Sequence, residues 1–185
     1  NITQTETGIH VDGYPDAKRV VALDTKPAQR LAGLRGHQFN LGCCEAAMQE
    51  CLKLPENLKY ATEAALVGIV TRYFSCFGQN KAIAQLNRDR VFKGMSDAKV
   101  CFDYWKSIRD RHLVHQEDAL TERRTGLVLG HTDELIDVLS MQMSGWVWDE
   151  EHLQLLYKLI AHTQSHVDSE IEGARKLIFA EAEAM

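Results

Sequence analysis

One apolar stripe constrains this chain more than any other pattern in it. Leu153, Leu156, Ile160, Val167, Ile171, Ala174 and Ile178 recur three, four or seven residues apart, a spacing that stacks them along one side of a helix. Asp149 stands as the N-cap, and Glu150 and Glu151 put carboxylates into the positive first turn. The expected helix runs for roughly 30 residues, about 45 Å at 1.5 Å per residue. A helix of that length overhangs a small bundle, so its free part is a candidate for dimer contact.

The remaining segments supply its partners. Residues 1–26 read as an N-terminal extended arm, with Asp12-Gly13 and Tyr14-Pro15 as turn signals and Arg19 to Leu23 as extended chain or a short strand. Residues 27–185 read as one helical bundle domain. Thr25 offers an N-cap and Pro27 suits a first turn. Leu31, Leu34, Leu41, Cys44, Met48, Cys51 and Leu52 then repeat at helical spacing. Gly33, Gly36 and Gly42 interrupt them, each at a cost of about 1 kcal/mol against Ala, and point to a bend or to close packing. Pro55 breaks this helix. The next presents Leu58, Leu66, Ile69, Val70, Tyr73, Phe74 and Phe77 on one wide face and ends at Gly78-Gln-Asn80. Residues 81–94 read as a connector with a short helical piece from Ala82 to Leu86, closed by Gly94.

Ser96 is the expected N-cap of a third helix, with Val100, Tyr104, Ile108 and Leu113 facing inward and Trp105 beside them. Leu127 to Leu129 reads as a short strand. Asp133 to Met143 fits either a helix or the hairpin partner of that strand. The fold class expected is all-α: an up-and-down bundle of four to five helices, with a short β-hairpin or irregular insertion and a long C-terminal helix.

Composition narrows the function classes. With 185 residues and 45% apolar content, one domain with a real core is expected. No apolar run is long enough to span a membrane, and residues 1–9 lack the apolar core of a signal segment. The net charge of -5 argues against coating nucleic acid by bulk charge, though it leaves room for a local basic site. Five cysteines, an odd number with no Cys-x-x-Cys, fit a reducing cytoplasm, with the thiols acting as small buried hydrophobes. A Gly-rich phosphate loop, Gly-x-Ser-x-Gly and His-Glu-x-x-His are all missing, which removes support for nucleotide-loop, serine hydrolase and zinc-protease readings.

Three constellations remain. His162 and His166 lie four residues apart on the last helix, so they share a face and could share a metal, or simply form a polar surface. Trp146 and Trp148 fit a hydrophobic plug at a helix start better than a base-stacking platform. The densest is Trp105 to Asp118, where two arginines, two histidines and three acids are interrupted by Ile108, Leu113 and Val114. An Arg fork binds phosphate, and a histidine exchanges a proton near neutrality. Together they suit metal-free RNA cleavage. His115 would take the 2′-hydroxyl proton, Arg109 would hold the charge growing on the phosphate, and Asp110 would orient one of them. Residues six apart in a straight α-helix lie about 120° apart around the axis and about 9 Å along it. Arg109 and His115 therefore converge only where the helix distorts or a second subunit completes the site.

The segment Ile108-Arg-Asp-Arg-His-Leu-Val-His115, followed by Gln-Glu-Asp118, resembles the signature of the HEPN superfamily (higher eukaryotes and prokaryotes nucleotide-binding). Arg109, Asp110 and His115 match its Arg, polar and His positions. The aromatic helix around Tyr73-Phe74-Ser-Cys-Phe77 and the run to Leu120-Thr-Glu122 are similar to the abortive-infection branch, so the likeness spans roughly residues 60–125. The resemblance implies an all-helical homodimer with its Arg-His sites near the interface. It implies RNA or a nucleotide as ligand, no cofactor, a toxin or phage-defence role and an antitoxin partner. Arg111 and His112 would be secondary phosphate contacts. Other members of the superfamily keep the fold and only bind nucleotides or partners, which is the alternative reading.

Overall fold

The computed structural model describes residues 2–5, 8–14, 16–17, 20–54, 58–79, 83–114, 121–144 and 150–183. The chain opens with an antiparallel hairpin of β1 (Ile2–Thr5) and β2 (Gly8–Val11), in a stretch expected to be irregular. Residues 20–24 then run without helix or strand. The helical body consists of α1 (Lys26–Cys51), α2 (Lys59–Ser75), the single turn α3 (Arg88–Val91), α4 (Ser96–Ile108) and α5 (Glu150–Glu183). A π-helical segment, Arg109–Val114, continues α4. A second hairpin, β3 (Thr121–Leu129) and β4 (Leu135–Ser144), separates it from α5. The expected all-α bundle with a hairpin and a long last helix is the fold found.

Local chemistry explains most boundaries. The Thr25 hydroxyl accepts from the Ala28 N–H at 3.4 Å, and Pro27 sits in the first turn of α1, where its missing N–H costs nothing. The short helix of the connector is α3, capped by the Asn87 side chain, which accepts from the Arg90 N–H at 3.0 Å; of the expected piece from Ala82 to Leu86, residues 83–86 are not helical and Ala82 lies outside the described residues. Ser96 is the first residue of α4 rather than its cap; Met95 holds that place without a side-chain bond. Gly94 adopts φ 77°, the left-handed conformation that glycine takes without strain. Pro55, Trp146, Trp148 and Asp149 lie outside the described residues.

The core sits where α1, α2 and α5 meet, and α4 closes one side. Leu41, Met48, Leu66, Val70, Leu156 and Ile160 are fully buried there. The apolar stripe of α5 buries Leu153, Leu156, Ile160, Val167, Ile171 and Ala174, as its spacing predicts. Beyond Ala174 the helix is open, leaving Leu177 and Phe179 exposed. On α4 the inner face differs from expectation. Phe102 and Trp105 are buried, whereas Val100 and Tyr104 face solvent. Two apolar stripes compete on this helix, and the bulkier aromatic pair removes more surface from water.

The second hairpin pairs Thr121 with Ser144 through to Val128 with Asp137, with a bulge before Leu129. Leu127, Leu129, Leu135, Ile136, Val138 and Leu139 stand exposed along its outer half. Among the described residues no helix is long and apolar enough to cross a membrane.

Candidate functional site at the end of α4

The inner stripe of α4 determines where the charged motif points. Phe102 and Trp105 are three residues apart, and Arg109 follows four residues later. Arg109 therefore continues the core-facing stripe, in a place where an apolar residue would ordinarily stand. Its side chain is only 24% exposed. Two partners compensate for that partial burial. The guanidinium carbon lies 5.5 Å from the centroid of the Phe74 ring, a cation–π distance. Nε donates to Asp110 Oδ1 at 2.7 Å, and Nη2 donates to the same oxygen.

Phe74 is itself held in place. It meets Tyr73 edge-on at 5.0 Å and Phe102 at 4.9 Å, and Phe102 meets Phe77 at 4.8 Å. The aromatic helix α2 thus supplies a stiff bed for the guanidinium. Asp110 is shared: Lys106 Nζ donates to its Oδ2 at 2.8 Å, one helical turn back. Partial burial pushes the Asp110 carboxyl up. The hydrogen bonds from Lys106 and Arg109 and their positive charges outweigh it and leave the group below its ordinary value. Arg111 is exposed. Among the described residues 106–114, Lys106, Arg109 and Arg111 are cationic and Asp110 is the one carboxylate.

A guanidinium carries five N–H donors. Asp110 engages Nε and Nη2, and Nη1 makes no hydrogen bond among the described residues. That side of the fork can meet an oxyanion. The backbone at this point leaves α-geometry for the i→i+5 pattern of a π-helix, from Arg109 to Val114. His112 lies in the π segment and nothing is described of its side chain; His115 lies outside the described residues.

The histidines of the last helix do different work. The Nε2 of His162 donates to the Val91 carbonyl at 2.9 Å, and its ring stacks on Phe92 at 5.6 Å. It ties α5 to α3. His166, one turn further on, lines a cavity against α1. Among the described residues no group of three or more His, Cys, Asp or Glu side chains gathers as a metal would require. The sequence reading missed His37, buried on α1 with Nε2 donating to the Ala84 carbonyl at 2.8 Å. The only signal in the sequence was its place after Gly33 and Gly36.

Comparison with family models, with curated proteins and with solved structures finds no match to this chain.

Proposed function

We propose that the chain is a HEPN-like, metal-independent endoribonuclease, active as a homodimer in a toxin or phage-defence setting. The observation that carries this reading is Arg109, a guanidinium on a core-facing stripe, held by Asp110 and the Phe74 ring at a helix distortion. Burying part of a charge costs stability, and a site for anions is one reason to keep it there. In the proposed step His115 removes the 2′-hydroxyl proton and the 2′-oxygen attacks the adjacent phosphorus. The bond from phosphorus to the 5′-oxygen breaks, and that oxygen takes a proton from water. Arg109 stabilises the charge that grows on the phosphate oxygens, Asp110 positions Arg109, and Arg111 and His112 contact neighbouring phosphates. The products are a 2′,3′-cyclic phosphate and a 5′-hydroxyl end.

A second reading rests on the same contact. An arginine tied through two nitrogens to its neighbour and laid over an aromatic ring also suits a non-catalytic module that binds a nucleotide or a protein. One experiment separates the two: mixed single-stranded and structured RNA is incubated in EDTA with the parent protein, His115→Ala and Arg109→Ala. Cleavage by the parent alone supports the nuclease. Full activity in His115→Ala rules out its mechanism, and silence from all three favours the binding module.

A further inference from the structure

We propose that the cavity between α1, residues 83–87 and α5 is a binding site for a small phosphate group. It shares no residue with the Arg109 site and does not depend on the nuclease reading.

The cavity is built by close approach. On α1, Arg30, Gly33, Leu34 and His37 fall at positions i, i+3, i+4 and i+7 of one helix face and line one wall. The segment Ile83–Asn87 crosses this wall, and His166 and Glu170 of α5 close the other side. Glycine permits the crossing: a Cβ on Gly33 would lie 3.3 Å from Ile83 Cγ2, and one on Gly36 would lie 2.8 Å from Ile83 Cδ1. The cavity volume is about 130 Å³. A cavity of roughly 150 Å³ accepts a benzene ring, so this one suits a group of about five heavy atoms, the size of phosphate.

The polar groups around it are unbalanced. Three of the acceptors are engaged in internal bonds. Glu170 is paired with Arg30, Asn87 Oδ1 takes the Arg90 N–H, and the Ala84 carbonyl takes His37 Nε2. Donors remain on the Arg90 guanidinium and the Asn87 amide, with the His166 imidazole beside them. His37 is 4% exposed, and its Nδ1 has no hydrogen-bond partner among the described residues. With Nε2 carrying the proton given to Ala84, Nδ1 is an acceptor. Hydrogen phosphate matches this arrangement: its charged oxygens take the donors and its P–OH gives a proton to Nδ1. Sulfate carries the charge but lacks the hydroxyl.

The test is calorimetric titration of the full chain at pH 6.5 with inorganic phosphate, sodium sulfate and glycerol phosphate. Saturable binding of phosphate, with sulfate weaker, is expected. Arg90→Gln removes an exposed side chain and so preserves the fold, which a thermal melt without ligand verifies. It weakens phosphate about tenfold or more, the worth of one charge-assisted hydrogen bond. His166→Gln weakens it as well, whereas Arg35→Gln, outside the cavity, leaves it unchanged. Tighter binding of glycerol phosphate than of phosphate assigns the site to a phosphomonoester, and the reverse assigns it to the free ion. No saturable heat, equal binding of sulfate, or affinity unaltered in both Arg90→Gln and His166→Gln overturns the proposal.

Discussion

The hydroxyl pair that joins α2 to α5 permits a sharp energetic test. Tyr73 and Thr163 are both fully buried, with their oxygens 3.1 Å apart. Thr163 has a single O–H, and it donates to the Leu159 carbonyl at 2.8 Å. The bond across the interface is therefore donated by Tyr73. This direction makes the two deletions unequal. Tyr73→Phe takes away the donor and leaves the Thr163 proton still satisfied, at a cost of about 1 kcal/mol, the net value of an ordinary hydrogen bond. Thr163→Val strands a buried phenolic O–H, at a cost of about 2–3 kcal/mol. The double variant replaces both partners with apolar groups of similar shape and should be less destabilised than Thr163→Val alone. For a chain of this size 1 kcal/mol is worth about 2–4 °C in Tm. Thr163→Val should then melt at least about 2 °C below Tyr73→Phe, with the double variant recovering part of the loss. The assay is a double-mutant cycle by urea denaturation and calorimetry. If Thr163→Val costs no more than Tyr73→Phe, the assigned bond direction is wrong.

Four further outcomes follow from the same structure. A methyl group added at Gly42 would meet no atom within 4 Å, so Gly42→Ala should stabilise α1 by about 0.5–1 kcal/mol in urea titration. Gly36→Val, pressing on Ile83, should instead cost about 1–3 kcal/mol. Burial pushes the Cys44 thiol up to about 12 and the Cys76 thiol up to about 11. Native protein treated with iodoacetamide at pH 8 should therefore be labelled at the half-buried Cys43 well before either, as read by mass spectrometry. The Asp110 carboxyl ionises at lower pH in the folded chain than in the unfolded one. Its contribution is present above about pH 4 and lost as pH falls through the lowered folded value. The Tm deficit of Asp110→Asn should shrink between pH 6 and pH 3, and a constant deficit would count against the Lys106–Asp110–Arg109 cluster.

The elements read most directly from sequence were those whose apolar spacing left one answer. On α5 no rival stripe exists, so Leu156, Ile160, Val167 and Ile171 landed in the core as expected. On α4 the stripe through Val100 and Tyr104 has the same period as the one through Phe102 and Trp105. Periodicity alone does not choose between them; side-chain volume did. The strand reading of Leu127 to Leu129 held, and Leu135 to Ser144 proved to be its antiparallel partner, settling a segment whose spacing had allowed either form. The cavity was illegible because its walls come from residues 29–37, 83–90 and 166–170, which only tertiary packing brings together. The glycines that allow it, Gly33 and Gly36, carried a sequence signal of close packing, but not of what would pack there.

The shift of stripe on α4 changes what the charged motif means. With Val100, Tyr104 and Ile108 inward, Arg109 would have stood beside the interface, on a solvated helix end where an Arg-Asp neighbour pair contributes little. With Phe102 and Trp105 inward, Arg109 becomes the next residue of the buried stripe, and the chain must accommodate a cation there. Phe74 supplies a ring face, Asp110 an acceptor, and the helix changes to i→i+5 bonding from this same residue. π-helical insertions are rare and recur at functional sites. A fold selected for stability alone would place Leu or Met at position 109 and keep the α-helical ladder intact. Retaining a guanidinium there is the kind of local cost that a binding or catalytic role offsets, so the proposed function rests on the position of Arg109 in the core stripe more than on the spacing of the motif itself.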